Sequence, residues 1–479
     1  MERRNQTLVE IRFLLVCMPL LVALDGNLRM LDSAVPNERS EQVKILEEGR
    51  RQIAEKHFPE AIAAFGRLRQ MAPQDPQPYF FSGIALAESG HLNAGAAELT
   101  EAVRLGPDQP EHILALGNVL ARLGQKREAM STLAALDQGI ALKRLSLANL
   151  SELMKVYFSL ERTSEALRLA DELESRQPNY PRIDFYRAKI YKLAGNLDLA
   201  QQAIQQSLKR TPDNPADLFE LGKIYEQRGQ MAAAKSAFLE VLKHWPNEPE
   251  TLYALSSVCM SLDETDAAIE YLRRAEPAVG SLPKIYYALG QAFQKKGDSV
   301  KAAQYFGLQK AEEESLAQRQ KEVREQEELL LISLARERQK LGNKPAARAF
   351  WRQLLELNSN SWEAHQSLGE IYLSSGDWQQ ARAHLDKLQE INPSGFQENR
   401  LMAEYWYRSE DYARALDFAE RGRSVEPINA DLRNLLGNIY LKLGQMARAC
   451  EEYALAVKYA PTNTEFRKNL ELARNLMRK

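Results

Sequence analysis

Histidine and cysteine are the side chains whose spacing would first reveal a catalytic or metal site, and both are sparse in this sequence of 479 residues. Six histidines are scattered along the chain, and His365 and His384 are the nearest pair with an arguable relation. No acidic side chain is clearly placed to orient either ring for proton transfer. All six are therefore expected to be ordinary surface or packing residues.

The other chemical signatures are missing as well. Cys17, Cys259 and Cys450 form no CxxC pair and no Cys/His cluster, which argues against a zinc site and a disulfide framework. The thiols are expected to behave as small buried hydrophobes. No phosphate-binding loop, dinucleotide fingerprint, nucleophile elbow or HExxH motif occurs. The sequence thus predicts no catalytic residue, no metal and no cofactor, and a protein that is not an enzyme.

The balance of charged residues argues against nucleic acid as the partner. Lys and Arg number 63 against 65 Asp and Glu, with a net charge of −2 and a pI of about 6.4. A general nucleic-acid binder carries a basic excess that displaces counterions, and this chain has none. Ala, Leu, Gln, Glu, Arg and Lys dominate the composition, which favours helix along nearly the whole chain.

A fixed period of 34 residues organises the sequence. Three groups of prolines keep this spacing: Pro73 and Pro107; Pro178, Pro212 and Pro246; and Pro393, Pro427 and Pro461. A small residue stands 12 positions before each of these prolines and, except for Pro178, another stands 24 positions before it, as in Gly222 and Ala234 before Pro246. A large residue often stands eight before it, as Phe65, Phe238 and Tyr453 do. Each unit is thus predicted to be a helix hairpin whose small residues allow close packing, with the large residue filling the gap beside them.

Glycine and proline mark the ends of the predicted helices. Gly229, Gly376 and Gly444 end first helices, because glycine accepts the left-handed cap conformation. The proline ends the second helix of each unit. No unit can bury its apolar face alone, so the units must stack.

This pattern resembles the tetratricopeptide repeat family over residues ~42–461. The resemblance implies an all-α solenoid, a right-handed superhelix of about twelve antiparallel helix pairs with a C-terminal capping helix. Family members of this kind are scaffolds that bind proteins or extended peptides. Tetratricopeptide arrays also occur beside catalytic domains, but no stretch of this chain is left over to form one.

Breaks in the register set the predicted domain boundaries. Extra residues fall near 136–146 and within 309–330, and the second segment has no Gly or Pro and carries i,i+4 charge pairs. It is expected to be a lengthened surface helix, with a docking arm as the alternative. The predicted organisation is an N-terminal segment and linker (1–40), an array of about eight repeats (41–308), the extended charged helix (309–330), about four repeats (331–461) and a polar-faced capping helix (462–479).

The N-terminus carries an apolar run, Phe13–Leu24, of a length that suits a signal peptide and is too short to span a bilayer. Glu2 and Glu10 dilute the basic flank, and no A-x-A cleavage site follows. Export to the periplasm or an N-terminal membrane anchor is the expectation. A mis-assigned start or an ordinary apolar helix in a cytoplasmic protein is the alternative.

The resemblance also places a groove. In the family, repeat positions 2, 5, 9, 12 and 13 line the concave face. Numbering each unit so that the Leu-Gly glycine is position 8, aromatics occupy position 5 in four successive repeats and lysines occupy position 9 in three. The candidate site residues are Phe185, Phe219, Tyr253, Tyr287, Lys155, Lys189 and Lys223.

Aromatic anchors beside lysines would suit an extended peptide with apolar and acidic residues. The alternative is that the aromatics only pack between adjacent helices while the lysines are solvated. The clamp by which some family members grip chaperone tails is not assembled, because Leu114 stands where that clamp needs lysine beside Asn118. Three functions remain open: a protein-binding scaffold, an accessory subunit of an envelope secretion, polysaccharide-export or outer-membrane biogenesis assembly, and an enzyme with an unrecognised site.

Overall fold

The computed structural model describes residues 36–477 except residues 138 and 281. That part of the chain forms 25 α-helices and no strand. The helices of residues 36–275 are α1 (Pro36–Ala54), α2 (Phe58–Met71), α3 (Pro76–Glu88), α4 (Leu92–Leu105), α5 (Pro110–Arg122), α6 (Lys126–Leu133), α7 (Gly139–Arg144), α8 (Leu147–Ser159), α9 (Thr163–Arg176), α10 (Ile183–Leu193), α11 (Leu197–Arg210), α12 (Pro215–Gln227), α13 (Met231–His244), α14 (Pro249–Ser261) and α15 (Thr265–Ala275).

A 3-10 turn, Glu276–Ala278, follows α15. The remaining helices are α16 (Lys284–Lys296), α17 (Ser299–Lys340), α18 (Lys344–Leu357), α19 (Trp362–Ser375), α20 (Trp378–Ile391), α21 (Phe396–Arg408), α22 (Tyr412–Val425), α23 (Ala430–Lys442), α24 (Met446–Tyr459) and α25 (Thr464–Met477). With the short helix α7 left out and α17 shared by two neighbouring hairpins, one end in each, they make twelve hairpins and a terminal helix. The predicted all-α stack of about twelve repeats is confirmed for the described residues.

The glycines on the first helices of several hairpins are needed for close packing against the second helix. A Cβ built on Gly222 would lie 2.4 Å from a ring carbon of Phe238, and one on Gly437 would lie 2.6 Å from the ring of Tyr453. Phe238 and Tyr453 are each almost completely buried. The prediction that a large residue fills the gap beside the small ones is confirmed, because the aromatic ring lies directly on the glycine backbone.

Helix ends follow the predicted chemistry. Gly229, Gly376 and Gly444 have φ of +74°, +76° and +74°, the left-handed conformation that ends a first helix. The Asn214 side chain accepts hydrogen bonds from the backbone N–H groups of Ala216 and Asp217 and so caps α12.

The described residues divide into two compact units. One contains residues 36–85 and 102–325, and the other contains residues 86–101 and 326–477. The extra residues near 136–146 form the short helix α7. Residues 309–330 lie inside the 42-residue helix α17, and residues 313–326 are exposed except at position 316.

Candidate functional site

The seven candidate residues lie on the first helices of five successive hairpins, α8, α10, α12, α14 and α16. Neighbouring first helices contact one another from α10 to α14. One position per repeat therefore forms a row across the stack, and we call these seven residues the ladder face. Six of them are half-buried, whereas Tyr287 is 45% exposed.

Phe185 is the most heavily contacted ring of the ladder face. The Arg182 guanidinium carbon lies 4.0 Å and the Lys189 Nζ 5.5 Å from its ring centroid. Lys189 Nζ also lies 5.2 Å from the ring centroid of Phe158 on the preceding first helix. A cation on an aromatic face is attracted by the ring quadrupole. Lys189 thus joins two repeats through ring contacts.

The other three aromatics contact different groups. The ring centroids of Phe219 and Phe238 are 5.6 Å apart, so Phe219 packs on its own hairpin. Lys284 Nζ lies 4.1 Å from the ring centroid of Tyr253, and burial together with Glu226 raises the pKa of that tyrosine. The Tyr287 ring lies 5.9 Å from that of Phe306. Some rings of the row, such as Phe219, pack within their own hairpin, while Tyr287 leaves part of its surface open to solvent.

Carboxylates on the same helices compensate two of the ladder lysines. Lys155 Nζ lies 2.7 Å from Glu152 Oε1, and burial raises the pKa of that glutamate. Lys223 Nζ lies 2.5 Å from Glu226 Oε2. Both pairs are spaced i,i+3, so each lysine meets an acid of its own helix. An acidic partner would have to compete with these local carboxylates.

The sequence prediction omitted several residues that line the same row. Arg182 and Lys284 occupy position 2, where the family resemblance already placed groove residues, and the same 34-residue register would have found them. Lys192, at position 12, pairs with Glu220 of the next first helix, and Leu193 at position 13 is 45% exposed. The row on these first helices is therefore wider than the seven residues of the ladder face. Its added cations are accompanied by an acid, Glu220, that pairs with Lys192.

The two histidines that the sequence singled out do meet, away from the ladder face. His365 Nδ1 lies 3.0 Å from His384 Nδ1, and His365 Nε2 lies 3.0 Å from the backbone oxygen of Ser359. Burial, with His365 and Arg352, lowers the pKa of His384 to about 4. Because a neutral pair satisfies these contacts, the arrangement suits packing between α19 and α20.

Three further observations concern the described residues only. No three His, Cys, Asp or Glu side chains there converge as metal ligands would. Cys259 is buried, and burial with Glu264 raises the pKa of its thiol to about 11. None of the helices between residues 36 and 477 combines the length and apolar character that a bilayer span requires. The apolar run Phe13–Leu24 and Cys17 lie outside the described residues.

Comparison with known proteins gives a repeat family. One model described as tetratricopeptide repeat matches residues 46–110, 152–215, 219–283 and 332–396, and a second such model matches residues 430–463. Together they span more than half of the chain. No curated protein matches the sequence.

Similar solved structures include the crystal structure of the APC/C hetero-tetramer Cut9–Hcn1, with 11% identity over 90% of this chain and 96% of that chain at a TM-score of 0.30. The structure of Naa15/Naa10 bound to HypK-THB has 15% identity over 90% of this chain and 67% of that one, with a TM-score of 0.29. MamA from Desulfovibrio magneticus RS-1 (residue 41 to the end) has 20% identity over 31% of this chain and 85% of its own, with a TM-score of 0.29.

Proposed function

This chain belongs to the tetratricopeptide repeat family, and we propose that it is a scaffold that binds an extended protein segment along the ladder face. Repeats of this family generally bind protein or peptide partners and form non-catalytic scaffolds. The observation that carries the proposal is the row itself. Aromatic rings recur every 34 residues on contacting first helices, and their faces are only half-buried.

The chemistry of the row indicates what kind of segment it would bind. Half-buried aromatic rings bury large apolar area at a low entropic cost, so apolar side chains of the partner would pack on Tyr253 and Tyr287. A partner carboxylate would exchange with Glu226 at Lys223 and would gain little net charge energy from doing so. We therefore expect affinity to come mainly from ring contacts, with the lysines setting register and association rate.

The experiment compares partners that co-purify with the tagged full-length chain and with the Tyr253→Ala/Tyr287→Ala variant. Leu239→Ala is the matched control, because Leu239 is a similarly exposed apolar residue, 36% exposed, on the second helix α13. We expect the double variant to lose a partner that wild type and the control retain, with equal helicity by circular dichroism. Equal recovery of every partner by all three proteins would show that the rings are structural.

The lysines need their own variant. Lys223→Glu places a second carboxylate beside Glu226 and should slow association of an acidic segment, most strongly at low salt. If the partner identified above binds Lys223→Glu and wild type with the same salt dependence, the acidic character of the segment is refuted while the aromatic contact stands.

The place of action is a separate proposal, supported by the sequence of Phe13–Leu24 alone. The chain would be exported, or held at a membrane by that run, and would serve as an accessory subunit of an envelope secretion, polysaccharide-export or outer-membrane biogenesis assembly. Cell fractionation with sequencing of the mature N-terminus tests this. Recovery of the full chain, beginning at Met1, in the cytoplasmic fraction would overturn it.

A further inference from the structure

Helix α4 has no solvent-facing side between residues 94 and 99, all of which are buried. The second helix of a stacked hairpin ordinarily keeps an outer polar face. Here Glu98 and Glu101 are only 1% and 2% exposed. The sequence of this stretch, Ala-Gly-Ala-Ala, offers small side chains that let another helix approach closely. An additional element must therefore cover α4.

The covering element is the C-terminal part of α17, in the same compact unit as residues 86–101. Its buried stripe consists of Glu327, Leu331, Ala335 and Arg338, exposed by 5%, 0%, 0% and 1%. Spacings of four, four and three residues place these side chains on one face of the helix. The stripe thus has an acid at one end, two apolar residues in the middle and a base at the other end.

Both charged ends of the stripe contact α4 or the residue before it. Arg338 Nη2 donates to Glu98 Oε1 at 2.6 Å across a separation of 240 residues. Glu327 Oε1 accepts from the backbone N–H of Ala94 at 3.1 Å, and Glu327 Oε2 lies 2.7 Å from His91 Nδ1. A carboxylate at a helix N-terminus satisfies free N–H groups and is favoured by the helix dipole.

These charges require each other. Glu98 and Arg338 are both almost fully buried, and Arg338 Nη1 also lies 3.0 Å from Glu337 Oε1. Reversing the charge of either residue would place like charges side by side where little water can screen them. Apolar packing alone would accept many helices, since every hairpin of this chain has an apolar face. A helix with an acid at one end of its buried face and a base at the other fits α4 in only one direction, and helices that lack either charge are disfavoured.

From these contacts we infer that the outer face of α4 is a docking site for an α-helix and that residues 327–338 of the same chain occupy it. The docked helix must carry an acid, here Glu327, that reaches the N-terminus of α4. It must also carry an arginine eleven residues later in its own sequence, here Arg338, opposite Glu98. This goes beyond the proposed function and does not depend on it.

The test is a charge-reversal cycle in the full-length chain, read by hydrogen exchange of the α4 amides. Glu98→Arg and Arg338→Glu should each speed exchange of α4 by ~100-fold or more, since each leaves like charges buried together. The double variant Glu98→Arg/Arg338→Glu should recover most of the protection. Arg319→Glu is the matched control, because Arg319 makes an exposed pair with Glu312 on the same helix α17 and its loss should leave α4 unchanged.

A milder change keeps the inference testable if a reversal prevents folding. Glu327→Gln retains the shape of the side chain and removes the charge, so we expect the Ala94 amide to exchange ~10-fold faster with unchanged helicity. Unchanged α4 protection in Glu98→Arg and Arg338→Glu would overturn the inference. So would a double variant that folds and exchanges as fast as the single ones.

Discussion

The histidine pair between α19 and α20 makes the stability of that hairpin depend on pH. The backbone oxygen of Ser359 can only accept, so His365 Nε2 carries a proton and donates to it. His365 Nδ1 is then an acceptor, and His384 Nδ1–H donates to it at 3.0 Å. Burial away from water is the first cost of placing a charge on His384. A second cost falls on His384 because Arg352 and Arg348 of α18 flank its stacked neighbour Tyr372.

The magnitude follows from the shifted pKa. The pKa of His384 is lowered from 6.5 to about 4 in the folded chain, so the unfolded hairpin binds more protons below pH 6.5. Stability is therefore full above pH 7, falls as the pH drops below 6.5 and stops falling near pH 4. Between pH 7 and pH 5 the loss should be about 2 kcal/mol.

The assay must be local, because burial also lowers the pKa of His112 to about 4 in the other compact unit. Native-state hydrogen exchange of α19 and α20, corrected for the intrinsic pH dependence of exchange, gives the opening free energy of this hairpin alone. We expect wild type to lose about 2 kcal/mol between pH 7 and pH 5 and His384→Gln to lose much less. His57→Gln, at a histidine whose side chain is 58% exposed, is the control and should behave as wild type. An equal loss in wild type and His384→Gln would refute the reasoning.

Two further predictions concern the repeat itself. Gly229→Ala should destabilise its hairpin by about 1 kcal/mol, because φ is +74° there. Gly280→Ala is the control and should change stability little, because Gly280 has no positive φ and a Cβ built there has open space around it. Urea unfolding compares the two variants. Phe238→Ala should cost about 3–5 kcal/mol, since the ring is fully buried against Gly222, and thermal unfolding that matches Leu239→Ala would contradict this.

The repeat register predicted the fold well because its signals are local. Gly229, the small residue Gly222 and Phe238 act within one hairpin, so their spacing in the sequence is their spacing in space. The ladder residues could likewise be placed on successive first helices from the 34-residue period. The contacts of these residues could not be predicted from the period. Whether Lys223 pairs with Glu226 or with a partner depends on side-chain rotamers and on an acidic residue whose position the repeat does not specify.

The contact between α4 and α17 lay beyond such reasoning for a physical reason. A repeated sequence gives every hairpin a similar apolar face, so hydrophobic periodicity cannot say which distant face meets which. Only a departure from the repeat can carry that information. In α4 the departure is a run of small residues with Glu98 buried beside them, and in α17 it is Glu327 and Arg338 at the two ends of a stripe whose middle residues are apolar. Buried charges add little net stability to a fold, but they penalise every mispaired arrangement. In an array of near-identical surfaces, such a penalty favours one partner helix for the outer face of α4 over the others.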